Sequence, residues 1–210
     1  MQPVNEDLLQ QIEDYIEHLF VPPDAALEQN LKDAEAAGLP AIAVAPDQGR
    51  LIYILAKIAG AKRILEIGTL GGYSTTLLAR ALPQNGKLVT LEMSPAHAVV
   101  ARKNLDRAGD TLDKMIAAGE EPFDLVFIDA DKTGYVGYLH QVLQLSHSGT
   151  VILGDNLIRH GDILQANPPD EMAAGVKAFN ALIATHPRLE SILLPILKGK
   201  VDGMSISRVK

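Results

Sequence analysis

The sequence predicts an α/β fold with a doubly wound, mostly parallel sheet, a helical N-terminal extension and a C-terminal antiparallel hairpin. From residue 63 onward, short apolar runs alternate with helical stretches, which is typical of a parallel sheet covered by helices on both faces. The runs RILEIG, LVTLE, DLVFIDA and TVILGD are apolar on consecutive residues, as expected of buried strands. The chain has 210 residues and 47% hydrophobic content, which predicts one domain over 1–210 with N-terminal helices in 1–60.

Three helices are predicted before the first strand. The first covers residues 8–20, where apolar residues recur at helical spacing until Pro22. Asp24 is placed to cap the second helix, and Pro46 opens a third that ends near Gly60. The core then alternates strands with helices, and the tail SILLPIL, KGKVDG, MSISRV predicts the closing hairpin.

The first helix also predicts a homodimer. Its apolar side chains Leu8, Ile12, Leu19 and Phe20 provide more apolar surface than the sheet needs to cover itself.

Charge and composition favour a small-molecule partner. The formal net charge of −7 works against a nucleic-acid partner, because binding along a phosphate backbone relies on clustered Lys and Arg. There is no cysteine, so thiolate metal sites and disulfides are excluded. The chain shows no signal-like start and no apolar run of about 20 residues. We therefore expect a cytoplasmic protein without a membrane partner.

A glycine-rich loop, LEIGTLGGYS, follows the first strand and opens a helix. Gly68, Gly71 and Gly72 allow a tight turn and close approach of a ligand to the backbone. Such loops also serve NAD enzymes, but a carboxylate at Glu66 would oppose a pyrophosphate and suits the ammonium group of a methionine moiety. Glu92 ends the second strand, where an acid commonly accepts hydrogen bonds from ribose hydroxyls. The alternative is that both glutamates are solvated residues at strand ends.

Two further strands end in acids, in FIDADK and ILGDN. Ligands of such sheets bind at the C-terminal ends of strands, so Asp129, Asp155 and Asn156 are candidates to converge there. Two carboxylates and an amide oxygen suit Mg²⁺, Mn²⁺ or Ca²⁺. The alternative for Asp155 and Asn156 is an ordinary turn. Lys132 is a solvated cation, a structural ion-pair partner or, beside a dication, a neutral amine that acts as a base.

Taken together, LEIGTLGGYSTTLLARAL, LVTLE, FIDADKTGY and GDN resemble the cation-dependent class I O-methyltransferases of the caffeoyl-CoA and catechol type, with their Rossmann-like fold. The resemblance runs from about Val44 to the end of the chain and includes KGKVDGMSIS. It implies that residues 61–210 form the cofactor-binding and catalytic core. The residues it implies for contact with S-adenosylmethionine are Val44, Glu66, Gly68, Thr69, Tyr73, Ser74, Glu92 and Asp129.

The resemblance also implies the chemistry. Asp129, Asp155 and Asn156 match the metal ligands, with Mg²⁺ as the expected ion, and Lys132 matches the catalytic lysine. The reaction implied is direct transfer of the methyl group of S-adenosylmethionine to a hydroxyl of a small catechol-like or phenylpropanoid acceptor. A nucleotide-dependent oxidoreductase and a cofactor-binding module without catalysis are the competing readings. Glu66 and the lack of G-x-G-x-x-G argue against the first, and the complete ligand set with Lys132 argues against the second.

Something is expected to be missing near Gly109 and Asp110. The helix predicted at 96–107 runs almost directly into a second helical stretch, TLDKMIAAG, with no strand between them. Members of the family carry an edge strand and an adenine-contacting turn at this point. Either a true deletion leaves the adenine pocket half open, or a segment has dropped out of the numbered chain, which the intact flanking helical stretches favour.

Overall fold

The computed structural model describes residues 6–104, 120–197 and 201–210. These residues form seven α-helices, six strands and two short 3₁₀ helices, at 132–134 and 159–164. In chain order the main elements are α1 (Glu6–Phe20), α2 (Ala25–Ala36), α3 (Pro46–Ile58), β1 (Arg63–Ile67), α4 (Tyr73–Ala81), β2 (Lys87–Leu91), α5 (Pro95–Asn104), β3 (Phe123–Ile128), α6 (Tyr135–Val142), β4 (Ser146–Gly154), α7 (Glu171–Thr185), β5 (Leu189–Leu197) and β6 (Val201–Val209).

The six strands form one mixed sheet in the order β2-β1-β3-β4-β6-β5. Strands β1 to β4 pair in parallel, whereas β6 runs antiparallel to both β4 and β5. The predicted fold class is therefore confirmed, including the C-terminal antiparallel hairpin. Strand β4 begins earlier than the run TVILGD indicated, because residues 146–149 extend it toward α6.

The three N-terminal helices lie where the local signals predicted, although α1 begins at Glu6, two residues before the predicted start. Asp24 caps α2, since its Oδ1 accepts hydrogen bonds from the backbone amides of Ala26 and Leu27, both at 3.1 Å. Pro46 is the first residue of α3, where its missing N–H leaves no helical hydrogen bond unmade. None of the described helices is long and apolar enough to cross a membrane.

Hydrophobic clusters cover both faces of the sheet. Side chains of β3 alternate between them: Val126 and Ile128 join one cluster, while Leu125 and Phe127 join the other. Helices α6 and α7 cover the first face, and helices α3 and α4 cover the second. This two-sided burial explains why the strands are apolar on consecutive residues.

The segment after β4 contains the 3₁₀ helix Arg159–Leu164, kinked where His160 and Gly161 have positive φ. The segment expected to be missing near Gly109 and Asp110 lies outside the described residues, as does the helical stretch TLDKMIAAG.

Candidate active site

A cavity of about 1510 Å³ opens at the carboxyl ends of the parallel strands. The segments that follow β1, β2, β3 and β4 form its floor, and the segment leading into α3 closes one side. Its position agrees with the rule that ligands of open α/β sheets bind beyond the carboxyl ends of the strands. The residues predicted from the sequence that line it are Val44, Gly68, Thr69, Tyr73, Ser74, Glu92, Asp129, Lys132, Asp155 and Asn156.

The loop between β1 and α4 depends on glycine at two positions. Gly68 has φ +104°, and a Cβ atom there would lie 1.9 Å from the backbone oxygen of Asp129. Gly72 adopts φ 86° as the N-cap of α4, a left-handed conformation that a side chain would strain. Glycine therefore lets the loop pack directly on the end of β3 and turn sharply into α4.

Glu92 holds this loop in place from the end of β2. Its Oε2 accepts hydrogen bonds from the amides of Thr69, at 3.2 Å, and Leu70, at 2.8 Å. Its Oε1 accepts from the amide of Ser94 at 2.8 Å and lies 3.7 Å from Nδ1 of His97. The carboxylate thus faces the cavity while it fixes the backbone of the glycine-rich loop.

Glu66 is not a solvated strand-end residue, because its side chain is completely buried. Its carboxylate accepts hydrogen bonds from the hydroxyls of Ser74, at 2.6 Å, Thr90, at 2.7 Å, and Thr75. Burial raises the pKa of Glu66 to about 7, although the three hydroxyl donors act in the opposite direction. Ser74 lines the cavity, so its hydroxyl connects the buried carboxylate of Glu66 directly with that space.

The predicted oxygen cluster lies at the ends of two adjacent strands. Strands β3 and β4 pair in parallel, and the amide of Asp155 donates to the carbonyl of Ile128 at 3.0 Å. This pairing brings Asp129, Asp155 and Asn156 to one edge of the cavity. Among the described residues, no group of three or more His, Cys, Asp or Glu side chains could hold a metal ion. The predicted set has two carboxylates and takes its third oxygen from the amide of Asn156.

Asp155 is buried and has two hydrogen-bond donors on one oxygen. Its Oδ1 accepts from Nε2 of Gln48 and from the backbone amide of Asn156, both at 2.7 Å. Burial raises the pKa of Asp155 to about 7, and the negative charge of Asp129 adds to the rise, while Lys132 opposes it. A cation between these carboxylates would relieve the same repulsion.

Lys132 is buried beside the two acids. Its Nζ donates to Oδ1 of Asp129 at 2.9 Å and to the hydroxyl of Tyr135 at 2.7 Å. The Tyr135 hydroxyl in turn shares its proton between the carbonyl oxygens of Ile128 and Asp155, each 3.0 Å away. Burial raises the pKa of Tyr135 well above its usual value, so the phenol remains protonated. Tyr135 therefore fixes the lysine relative to both strand ends.

The segment after Asp155 has an unusual backbone and lines the opposite wall. Asn156, Arg159 and His160 have φ values of 58°, 47° and 57°. Asn tolerates this left-handed region, whereas Arg and His adopt it rarely. Oδ1 of buried Asp202 stabilises the turn by accepting from the amides of Ile158 and Arg159, both at 3.1 Å. Arg159 and His160 both line the cavity.

Gln48 and Tyr135 contact the predicted site residues but have no counterpart in the sequence predictions. Gln48 was placed only within the third helix, and no local pattern connects it with Asp155, 107 residues later. Tyr135 follows Lys132 by three residues, a spacing that in a helical turn puts both on one side. That spacing is the signal from which its contact with Lys132 could have been found.

Comparison with known proteins identifies the class. The family model described as O-methyltransferase matches residues 22–209, so the chain belongs to that family. It is an S-adenosylmethionine-dependent O-methyltransferase, which confirms the resemblance drawn from the loop and strand-end motifs.

Individual relatives are similar over nearly the whole chain. A protein of Niastella koreensis named catechol O-methyltransferase is 41% identical to this chain, and the alignment covers 99% of this chain and 100% of that protein. An O-methyltransferase of Bacillus cereus, solved in complex with SAH, has a TM-score of 0.92 and 39% identity, covering 98% of this chain and 100% of its own. TomG of Streptomyces achromogenes, solved with SAM, has a TM-score of 0.90 and 31% identity, with 99% of both chains covered.

The buried carboxyl of Glu66 predicts a pH-dependent difference between the protein and its Glu66→Gln variant. An unfolded glutamate titrates near 4.5, whereas the folded pKa is about 7, so the folded state binds more protons between these values. The stability that Glu66 contributes is full below pH 4.5 and is lost as the pH rises through 7. We expect the wild type to lose, relative to Glu66→Gln, on the order of 3 kcal/mol of unfolding free energy between pH 5 and pH 8.

Urea unfolding at both pH values measures this difference. Asp155 titrates in both proteins, so its contribution cancels in the comparison. Glu28→Gln, an exposed substitution in α2, is the control and should track the wild type. Parallel stability curves for the wild type and Glu66→Gln would show that Glu66 is ionised at pH 5 in the folded protein.

Proposed function

We propose that this O-methyltransferase transfers the methyl group of S-adenosylmethionine to a hydroxyl of a small catechol-like or phenylpropanoid acceptor, with the help of a divalent cation. The observation that carries the proposal is that one cavity contains both a candidate cofactor loop and a candidate cation site. A glycine-rich loop held by Glu92 lies beside a pair of acids, Asp129 and Asp155, with a buried lysine next to them. The relative named catechol O-methyltransferase supports a catechol-like acceptor.

The cofactor side of the cavity is proposed to bind S-adenosylmethionine. Glu92 would accept hydrogen bonds from ribose hydroxyls, and Asp129 would face the methionine portion. We propose that Glu66 acts through the Ser74 hydroxyl and does not touch the cofactor, because its side chain has no exposed surface. The residues proposed to contact the cofactor directly are Val44, Gly68, Thr69, Tyr73, Ser74, Glu92 and Asp129.

The donor set at the ends of β3 and β4 fits a hard dication. Asp129, Asp155 and Asn156 offer two carboxylates and one amide oxygen, which suit Mg²⁺ first and also Mn²⁺ or Ca²⁺. Burial and the negative charge of the partly exposed Asp129 both raise the pKa of Asp155, so a positive charge between the two carboxylates would stabilise them. A bound dication would lower the pKa of a coordinated acceptor hydroxyl and fix its direction.

Lys132 is proposed to accept the proton of the reacting hydroxyl. In the structure its ammonium pairs with Asp129, so the lysine itself partly neutralises the acids. A dication held by the same acids would repel this ammonium and favour the neutral amine. Tyr135 holds Nζ at the strand ends, where a hydroxyl bound near Asp129 is within reach of it. The acceleration then comes from orientation and charge placement, without a covalent enzyme intermediate.

The segment after β4 is proposed to shape the acceptor side. Arg159 and His160 reach the cavity together with Met172 of α7 and Ile196 of β5. Because both basic residues follow Asn156 within four positions, an acceptor near the acids would contact this segment.

Removal of the cation tests the proposed function. With catechol as acceptor, turnover should vanish in excess EDTA and return when Mg²⁺ or Mn²⁺ is supplied, because two acids and an amide cannot activate the hydroxyl alone. Methyl transfer is followed with labelled S-adenosylmethionine. As a control, calorimetric binding of S-adenosylhomocysteine should persist in EDTA. Undiminished turnover in EDTA would remove the metal from the mechanism.

Replacement of the proposed base gives a second prediction. Lys132→Ala should lower kcat by about 10²–10⁴-fold, the usual contribution of a positioned acid or base. The affinity for S-adenosylhomocysteine should stay nearly unchanged, since the lysine acts on the acceptor proton. Lys57→Ala, on exposed surface of α3, should retain full turnover. Normal kcat in Lys132→Ala would exclude Lys132 as the base.

The exposed face of α1 supports the proposal of a homodimer. Its side chains Leu8, Tyr15, Leu19 and Phe20 are more than half exposed, and Ile12 is 40% exposed. Such an apolar face gains free energy when a second copy covers it. Sedimentation at micromolar concentration should give twice the chain mass, and the double substitution Leu19→Ser with Phe20→Ser should shift the protein to monomer. A wild-type monomer would contradict the proposal.

A further inference from the structure

Gln48 has a buried polar side chain, although no local sequence pattern predicts its burial. It lies in the first turn of α3 and is 4% exposed. Its Nε2 donates a hydrogen bond of 2.7 Å to Oδ1 of Asp155. The orientation of the amide follows from this contact, because a carboxylate oxygen only accepts. A buried hydrogen bond between a helix and a strand end 107 residues away gives the carboxylate a fixed partner.

Asp155 is held by one of its two carboxylate oxygens. Both hydrogen bonds to its side chain, from Gln48 and from the amide of Asn156, go to Oδ1. Within the part of the chain that the structure describes, Oδ2 has no hydrogen-bond donor. Two donors on one oxygen restrict rotation of the carboxylate and leave the second oxygen available for another ligand.

The backbone of Gln48 is itself held in place. The next residue is Gly49, where a Cβ atom would lie 2.6 Å from Cδ1 of Leu77 in α4. Helix α3 therefore packs closely against α4 at this turn, and the amide of Gln48 starts from a rigid position. Asp47 and Gln48 of this turn line the cavity, together with Val44 just before it.

The chemical type of the donor also matters. A lysine or arginine in this place would orient Asp155 but would neutralise the charge that attracts a dication. An amide donates a hydrogen bond and adds no charge. Hydrogen bonds of this kind orient the ligands of metal ions and contribute to metal affinity.

We propose that Gln48 is a positioning residue that fixes the carboxylate of Asp155 for binding of the divalent cation. The inference rests on the metal role proposed above for Asp129, Asp155 and Asn156. It assigns to α3, which precedes the first strand, a part in the cation site at the ends of β3 and β4.

Manganese binding without any acceptor tests the inference. Gln48→Met keeps the length and approximate volume of the side chain but removes the donor. Its Kd for Mn²⁺, measured by electron paramagnetic resonance of the free ion, should be about 10–100-fold weaker than that of the wild type. Gln29→Met is the matched control, because Gln29 donates to Asp33 on the exposed side of α2. Its Kd for Mn²⁺ should equal that of the wild type.

Each result of this experiment decides between two statements. If the wild type binds Mn²⁺ saturably and the Kd of Gln48→Met lies within twofold of the wild-type Kd, the role of Gln48 is overturned while the metal site stands. No saturable binding to the wild type would overturn both. Binding of S-adenosylhomocysteine confirms that each variant is folded. If Gln48→Met does not fold, Gln48→Asn takes its place, since its shorter side chain keeps the amide but cannot maintain the 2.7 Å contact.

Discussion

The active site depends on the burial of negative charge where two parallel strands end side by side. Hydrogen bonding between β3 and β4 brings Asp129 and Asp155 to the same edge of the sheet, and the burial of Asp155 makes their mutual repulsion costly. The surroundings compensate for this cost with short, directed contacts. Lys132 pairs with Asp129, and two neutral donors hold Asp155. The residual negative charge is what would attract the cation proposed for this edge.

The glycine-rich loop also lies over a buried carboxylate, but here hydroxyl groups stabilise it. Glu66 is buried more completely than either of the two acids, and three hydroxyls donate hydrogen bonds to its carboxylate. Those hydroxyls belong to β2 and to the first turn of α4, so the carboxyl group ties the strand to the helix beneath the loop. Glu92 fixes the loop itself, because its Oε2 accepts hydrogen bonds from the backbone amides of Thr69 and Leu70.

Local signals were sufficient for the elements and for the glycine-rich loop and strand-end acids of the cavity, whereas Val44, Thr69, Tyr73 and Ser74 were implied only by the family resemblance. The cap at Asp24, the glycines after β1 and the acids after β3 and β4 all act through their immediate neighbours, so the sequence alone could locate them. The partner of Asp155 could not be found in this way, since a contact over 107 residues depends on the packing of α3 against α4. The burial of Glu66 depends in the same way on Thr90 of a neighbouring strand. The missing segment near Gly109 stays a prediction.

The residues proposed for the reaction and the residues proposed to shape the acceptor side lie on backbone segments of different rigidity. The acids and Lys132 stand at the ends of buried strands or in the turn directly after one, where the sheet fixes their backbone. Arg159 and His160 stand on a kinked turn whose positive φ values are unfavourable for both residues and persist because Asp202 binds the turn's amides. Substitutions in that turn can alter the shape of the cavity without moving β3 or β4. The segment after β4, which is proposed to shape the acceptor side, is therefore where we expect acceptor preference to change while the reaction stays the same.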